Sequence, residues 1–97
     1  MAILTVQEAS GALRLSDPNE HVSQLDLILP AVDEAIKTAT GHDWGADSTI
    51  DPLAKLLAAV LTVRWFVDPG HMQVPYADPS VVSLIAQLQA KALVMDS

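Results

Sequence analysis

The residues best suited to metal chemistry lie close together in the polar stretch of residues 41–50. His42, Asp43 and Asp47 carry side chains of the kinds that bind metal ions. Adjacent His and Asp residues do not face each other on a regular helix or strand, and no second histidine follows at the spacing of helical ligands. The pattern therefore predicts neither a metal site nor a cofactor. Trp44, in the middle of this stretch, is predicted to cap the hydrophobic core.

Acid–base chemistry has an equally weak basis in the sequence. Asp26 and Asp33 are seven residues apart, so that a helix places both carboxylates on one face. Such a pair can act as general acid and base, but carboxylates at this spacing are common on solvated helices. Arg64 has no accompanying nucleophile or base pattern. We therefore predict no catalytic residues and expect that the chain is not an enzyme.

The composition predicts one domain that leaves apolar surface exposed. The 97 residues match the size of a single domain, residues 1–97, and include no cysteine. Hydrophobic residues make up 51% of the chain. A domain of this size buries only about two-thirds of the surface of its unfolded chain. The surplus of apolar side chains is typical of a protein that self-associates.

The charge balance disfavours ordinary nucleic-acid binding. Twelve acidic and 5 basic residues give a net charge of −7, which repels phosphate backbones. The first ten residues lack the basic start and long apolar run of a signal peptide. The uncharged run between Lys55 and Arg64 is far shorter than the roughly 20 residues that span a bilayer. We expect a cytoplasmic protein with no membrane contact.

Apolar periodicity and capping residues predict an all-α fold, a small bundle of about four helices. A capping box at Thr5, a glycine stop at Gly41 and two Asp-Pro starts mark helix ends. Pro30 is expected to kink the long second helix or to break it in two. Pro and Gly residues between 68 and 79 predict an irregular loop. The predicted helices run from Thr5 to Leu13, Pro18 to Thr40, Asp51 to Val67 and Pro79 to Val94.

The third of these helices is the most apolar and is predicted to be central and buried. Its only small or polar stripe is formed by Lys55, Ala58 and Thr62, so the rest of the chain is expected to encase it almost completely. Arg64 falls within its apolar arc, where an unpaired charge would be costly. Three interpretations of Arg64 remain open. They are an ion pair with a carboxylate of the preceding helix, Asp26 or Asp33, a partner in another subunit, and extension of the side chain to solvent.

Two helix faces are candidates for subunit contacts. Leu27 and Ala31 lie opposite the apolar seam of the second helix, although single exposed leucines are common on monomers. The last helix carries one charge, Lys91, whereas solvated helices normally carry more, so we predict that it packs against protein on two sides. The predicted subunit interface consists of Leu27, Ala31, Arg64, Val82, Ala86 and Leu93.

Four motifs occur in a characteristic order along the chain. A first helix leads to the triplet Leu13-Arg14-Leu15, and a long acidic helix stops at Thr40-Gly41-His42. An apolar helix ends in Arg64-Trp65-Phe66, and Val74-Pro75-Tyr76 precedes the last helix. This order resembles the small head-tail connector proteins, or adaptors, of tailed bacteriophages and phage-like particles. Members of that family typically have a Leu-Arg-Ile-like triplet, a Thr-Gly-Arg-like helix stop, an aromatic pair and a Pro-aromatic turn.

The resemblance implies a structural, mainly helical subunit of an oligomeric ring around the DNA channel. Such a homo-oligomer joins the portal protein of the head to a tail-side completion protein, and DNA passes through it without specific binding. The expected location is the neck of the virion, after synthesis in the host cytoplasm. Portal or tail contacts are attributed to terminal or loop segments, which implies Tyr76, Val94 and Met95 in this chain.

A second function remains open from the residues alone. A small helical protein-binding or regulatory module that acts as a dimer would also expose an apolar seam. Such a dimer buries one self-complementary patch, whereas a ring needs two different patches on each subunit. Leu27 and Ala31 on one helix and Val82, Ala86 and Leu93 on another would supply two.

Overall fold

The described residues form a bundle of four α-helices, as the apolar periodicity predicts. The computed structural model describes residues 3–14, 22–68, 74 and 78–95, without the side chains of Val22 and Met95. A short 3₁₀ turn, Trp44–Ala46, lies between the second and third helices. The helices are α1 (Val6–Leu13), α2 (Val22–Thr40), α3 (Pro52–Val67) and α4 (Pro79–Met95).

The helix ends form where the capping residues predict them. At α1, Thr5 Oγ1 accepts the Glu8 N–H at 3.1 Å, and Glu8 Oε1 accepts the Thr5 N–H at 3.1 Å. Asp51 Oδ1 caps α3 by accepting the Leu53 N–H at 2.8 Å. Gly41 ends α2 with φ 83°, a left-handed conformation that glycine adopts at little cost.

Pro30 does not break α2, so of the two alternatives, a kink or a break into two helices, the break is wrong. The helix runs without interruption from Val22 to Thr40. Pro30 lies on the exposed side, while Ile28, Leu29 and Val32 on either side of it are buried in the core. Because Asp26 is exposed, water can bind the carbonyl that loses its N–H donor to the proline ring. Core packing on both sides therefore maintains the helix.

The helix α3 packs against α1, α2 and α4, and its most extensive contact is with α2. Since α2 also contacts the three other helices, the central position predicted for α3 is shared by the two. The apolar residues that recur every three or four positions along α2 and α4 are buried or half-buried where their side chains are described. The fully or almost fully buried core side chains include Leu25, Leu29, Val32 and Ile36 of α2, Leu57, Leu61 and Trp65 of α3, and Val81, Ile85 and Leu88 of α4.

The orientation of α3 differs from the expectation that the chain encases it. Ala58 and Thr62, from the supposed outer stripe, are buried at 1% and 0% exposure, whereas Leu56 and Val67 are exposed at 52% and 76%. Thr62 Oγ1 donates to the Ala58 carbonyl at 2.7 Å, which satisfies the buried hydroxyl. The small face of α3 therefore turns towards the core, and part of its apolar arc turns towards solvent.

The predicted Pro-rich loop lies mostly outside the described residues. Of residues 68–78, only Asp68, Val74 and Asp78 are described. Val74 is half-buried and packs against the core. Within the described ranges, no helix is both long enough and apolar enough to cross a membrane.

The segment before α1 is tied to α2 by a half-buried carboxylate. Asp33 Oδ1 accepts the Ile3 N–H at 3.2 Å. Burial raises the pKa of Asp33 above its ordinary value of 3.8 and outweighs the hydrogen bond from Ile3, which lowers it. The Asp33 carboxylate therefore links the segment before α1 to α2, although burial removes part of its hydration.

We predict that Asp33→Asn stabilises the protein relative to wild type more at about pH 7 than at about pH 3. The folded-state pKa is raised, so wild type has the full contribution of Asp33 below the unfolded pKa and loses it as the pH rises through the folded value. The asparagine oxygen can still accept the Ile3 N–H. Urea unfolding at both pH values measures the difference, and an equal effect at both would contradict the prediction.

Ser10 in α1 is a buried residue whose removal should stabilise the fold. Its Oγ has no hydrogen-bond partner among the described residues. We expect Ser10→Ala to raise the free energy of unfolding by about 1–2 kcal/mol, because it removes an unsatisfied hydroxyl and improves helix propensity. Ser83→Ala on the exposed side of α4 is the control and should give about 0.5 kcal/mol or less. Chemical denaturation that ranks the two variants equally would refute this explanation.

Candidate interaction surfaces

The polar loop after α2 forms a structural cluster around Trp44. His42 Nε2 lies 3.0 Å from both carboxylate oxygens of Asp47, and its ring meets the Trp44 indole edge-on at 4.6 Å between centroids. Trp44 is buried, and its Nε1 donates to Thr40 Oγ1 at 2.8 Å. Thr40 Oγ1 donates in turn to the Ile36 carbonyl at 2.6 Å. The prediction that Trp44 caps the core is confirmed.

The loop does not assemble a set of metal ligands. Among the described residues, no three His, Cys, Asp or Glu side chains are grouped so that they could hold a metal ion. Asp43 is exposed, and Asp47 is engaged by His42. The hydrogen bonds of this loop instead fix the connection between α2 and α3.

Three ion pairs join α3, or the residue that caps it, to α1 or to α4. Lys55 Nζ donates to Glu8 Oε2 of α1 at 2.7 Å. Lys91 Nζ of α4 donates to Asp51 Oδ2 at 2.8 Å, at the start of α3. Arg64 Nη2 donates to Asp78, which also caps α4 by accepting the Ser80 N–H. Each pair therefore links two helices.

The partner of Arg64 corrects the sequence interpretation. We expected Asp26 or Asp33 on α2, a second subunit, or solvent. The structure instead pairs Arg64 with Asp78, a carboxylate just before α4, and leaves 47% of the arginine side chain exposed. The reason is the rotation of α3, which turns Arg64 away from α2 and towards the start of α4.

Two of these carboxylates have pKa values below the ordinary range. The hydrogen bond from Lys55, together with that from the Thr5 N–H, lowers the pKa of Glu8. Burial acts to raise the pKa of Asp51, but the hydrogen bonds from Lys91 and from the Leu53 N–H outweigh it and lower the value. Both groups are therefore charged at neutral pH and complete the pairs with lysine.

The exposed side of α3 carries an apolar stripe, which we call the α3 seam. Its residues are Leu56, Val60, Val63 and Val67, at successive spacings of four, three and four. Leu56 and Val67 are exposed, and Val60 and Val63 are half-buried. One groove beside the seam is shared with Ala12 of α1, and a second groove is shared with Pro79, Ser80, Ser83 and Leu84 of α4.

The α3 seam faces away from α2. Lys55 and Arg64 are nine residues apart, which places them on opposite sides of the helix. Their partners, Glu8 and Asp78, put α1 on one side of α3 and the start of α4 on the other. The seam therefore lies between α1 on one side and the start of α4 on the other, and both of these helices contact α3.

The predicted interface residues lie on three helices and do not form one patch. Leu27 is 76% exposed on α2, where Ala31 is half-buried. Arg64 lies at the edge of the α3 seam. The residues predicted on α4 are exposed and do not line the groove shared with α3. These are Val82, Ala86 and Leu93.

The three residues assigned to portal or tail contacts are only partly described. Val94 is 75% exposed near the end of α4. Met95 is the last residue of α4, and its side chain lies outside the described part of the chain. Tyr76 lies outside the described residues altogether.

Sequence reasoning missed the exposed face of α3. Leu56 and Val67 were placed in an apolar arc that the rest of the chain was expected to cover. The informative signal was the short hydroxyl side chain of Thr62, four residues after Ala58, because a threonine at this spacing can satisfy itself within the helix and be buried. The apolar residues half a turn away must then face outward.

Comparison with known proteins gives no match to a protein-family model, a curated protein or a solved structure. The resemblance to phage connectors therefore stays a prediction from sequence motifs.

Substitutions in α3 can test which of its faces packs in the core of a single subunit. We expect Leu56→Gln to change the free energy of unfolding by less than about 1 kcal/mol, because Leu56 is half exposed. The adjacent Leu57→Ala should cost about 2–5 kcal/mol, because Leu57 is fully buried. Urea unfolding at low protein concentration measures both values. Equal losses of unfolding free energy would mean that Leu56 is as buried as Leu57, which would contradict the orientation of α3 described above.

Proposed function

We propose that the protein is a structural virion subunit that joins the portal of a phage or phage-like head to the tail as part of an oligomeric ring. The observation that supports this most is the presence of exposed apolar side chains on two separate helices. Leu27 on α2 and Leu93 on α4 are each 76% exposed, and Val82 on α4 is 41% exposed. Isolated exposed leucines are common, but large apolar side chains on several faces favour contacts with other proteins.

A ring requires two different surfaces on each subunit. In a head-to-tail contact, one patch of a subunit meets a different patch of its neighbour, and repetition closes the ring. Leu27 and Ala31 on α2 offer one patch, and Val82, Ala86 and Leu93 on α4 offer the other. The α4 patch carries no charge, so it can be buried without removing an ion from water.

The charge distribution supports passage of DNA without binding. Of the 5 basic residues, Lys55, Arg64 and Lys91 are already paired with carboxylates. A ring of copies that each carry a net charge of −7 repels the DNA backbone, because phosphate adhesion depends on available Lys and Arg side chains. A channel lined by Arg14, Lys37, Lys55 and Lys91 would contradict this part of the proposal.

The end of α4 is the proposed site of contact with the portal or the tail-side completion protein. Val94 is exposed there, one residue before the last residue of the helix, Met95. Tyr76, in the segment between α3 and α4, belongs to the same proposal. An exposed apolar helix end can enter a groove of a neighbouring protein without unfolding the bundle.

A helical binding or regulatory module that acts as a dimer is the second candidate. The α3 seam favours it, because one apolar stripe on one helix is sufficient for a self-complementary contact. The connector predicts a ring and the regulatory module predicts a dimer, so the observed assembly distinguishes the two functions.

Negative-stain imaging with mass photometry of the purified protein, alone and mixed with its cognate portal, tests the proposal. We expect rings, either free or docked coaxially on the portal. Leu27→Glu and Leu93→Glu should each prevent ring formation, because they place a charge in a patch that the ring buries. Ser48→Glu, an equal change of charge at an exposed loop position, is the control and should leave the rings intact.

A discrete dimer that ignores the portal would contradict the connector function and support the regulatory module. A monomer that forms rings only on the portal would still support the connector, since assembly can depend on that template.

A further inference from the structure

The α3 seam has the spacing of a surface that packs against another helix. Leu56, Val60, Val63 and Val67 follow one another at intervals of four, three and four residues, close to the 3.6 residues of a helical turn, so all four lie on one face of α3. Leu56 and Val67, at its two ends, are more than half exposed. The ring contacts on α2 and α4 leave this seam uncovered.

The surroundings of the seam favour an uncharged occupant. The seam itself contains no charged residue. Lys55 and Arg64 border it, but Glu8 and Asp78 already neutralise them. In a chain of net charge −7, this is a strip where a second copy can approach without bringing like charges together.

The seam is also complementary to itself when reversed. In an antiparallel pair, Leu56 of one copy lies opposite Val67 of the other, and Val60 lies opposite Val63. The two Lys55 side chains are then about 20 Å apart, beyond the screening length of roughly 8–10 Å at physiological salt. The two Arg64 side chains are closer, about 8 Å apart along the axis, but each has Asp78 beside it.

We propose that α3 packs antiparallel against α3 of a second copy of this chain, about a two-fold axis between Val60 and Val63. Residues of α1 and α4 beside the grooves complete the contact around the seam. This pairing uses a surface that the ring contacts do not use, and in the absence of rings it is the assembly expected of the second candidate function.

The chain contains no cysteine, so single cysteines can report the contact directly. Leu56→Cys and Val67→Cys are prepared separately, one of them isotope-labelled, then mixed and oxidised under mild conditions. The antiparallel contact brings these two positions together, so the mixed disulfide should exceed both like-with-like products several-fold. Two copies of Leu56→Cys place their Cα atoms about 16 Å apart, too far for a disulfide, which needs about 7 Å or less.

Any other distribution of disulfide products would contradict the antiparallel pairing. Dominant like-with-like disulfides would mean a parallel pairing. Mixed and like products at the statistical ratio, no faster than with a cysteine at the exposed loop position Ser48, would mean that the seam does not contact a second copy. The α3 seam would then be a candidate contact for a different protein.

A matched pair of substitutions measures the contribution of the seam to association. Val67 is 76% exposed in the last turn of α3, and Ser48 is exposed in the loop before α3. Val67→Glu should raise the dimer dissociation constant at least tenfold in sedimentation equilibrium, and Ser48→Glu, which adds the same charge, should leave it unchanged. A wild-type chain that remains monomeric at millimolar concentration, or equal effects of the two variants, would refute the pairing. Rings that survive Val67→Glu would leave the connector function intact.

Discussion

The burial of two small side chains, Ala58 and Thr62, determines how the other helices are arranged around α3. Both are almost completely excluded from solvent, and the Thr62 hydroxyl is satisfied within its own helix. A helix that turns its small face to the core must turn the opposite face outward, and on α3 that opposite face is apolar. The rotation therefore fixes the core, the pairing of Arg64 with Asp78 and the exposure of the α3 seam together.

Local signals predicted most of the fold. The capping box at Thr5, the glycine at position 41 and the Asp-Pro start of α3 each depend on a few neighbouring residues, so the sequence contains all the information about them. The apolar periodicity of α2 and α4 was equally informative, because each of these helices has one clearly apolar face. Pro30 shows the limit of such reasoning, since packing of Ile28, Leu29 and Val32 against distant residues maintains a helix that the local rule would break.

The candidate surfaces were harder to predict because they depend on rotation and tertiary contact. On a helix that is apolar nearly all round, periodicity does not distinguish the inner from the outer face, and α3 is such a helix. The partner of Arg64 was missed for the same reason, because the rotation of α3 decides which neighbouring carboxylate the arginine side chain meets. By contrast, the lack of charge on α4 is a property of composition, and the exposure of Val82, Ala86 and Leu93 agrees with the face that was predicted.

The ion pairs at the two ends of the α3–α4 contact have a consequence for alignment. Arg64 meets Asp78 at one end, and Lys91 meets Asp51 at the other, so the two helices are held antiparallel at both of their limits. Exposed pairs of this kind contribute little to stability, about 0–1 kcal/mol each. A displacement of α4 along α3 by even one residue, about 1.5 Å, would disturb the geometry of both pairs. Together with the buried side chains of the two helices, the pairs therefore favour a single longitudinal register.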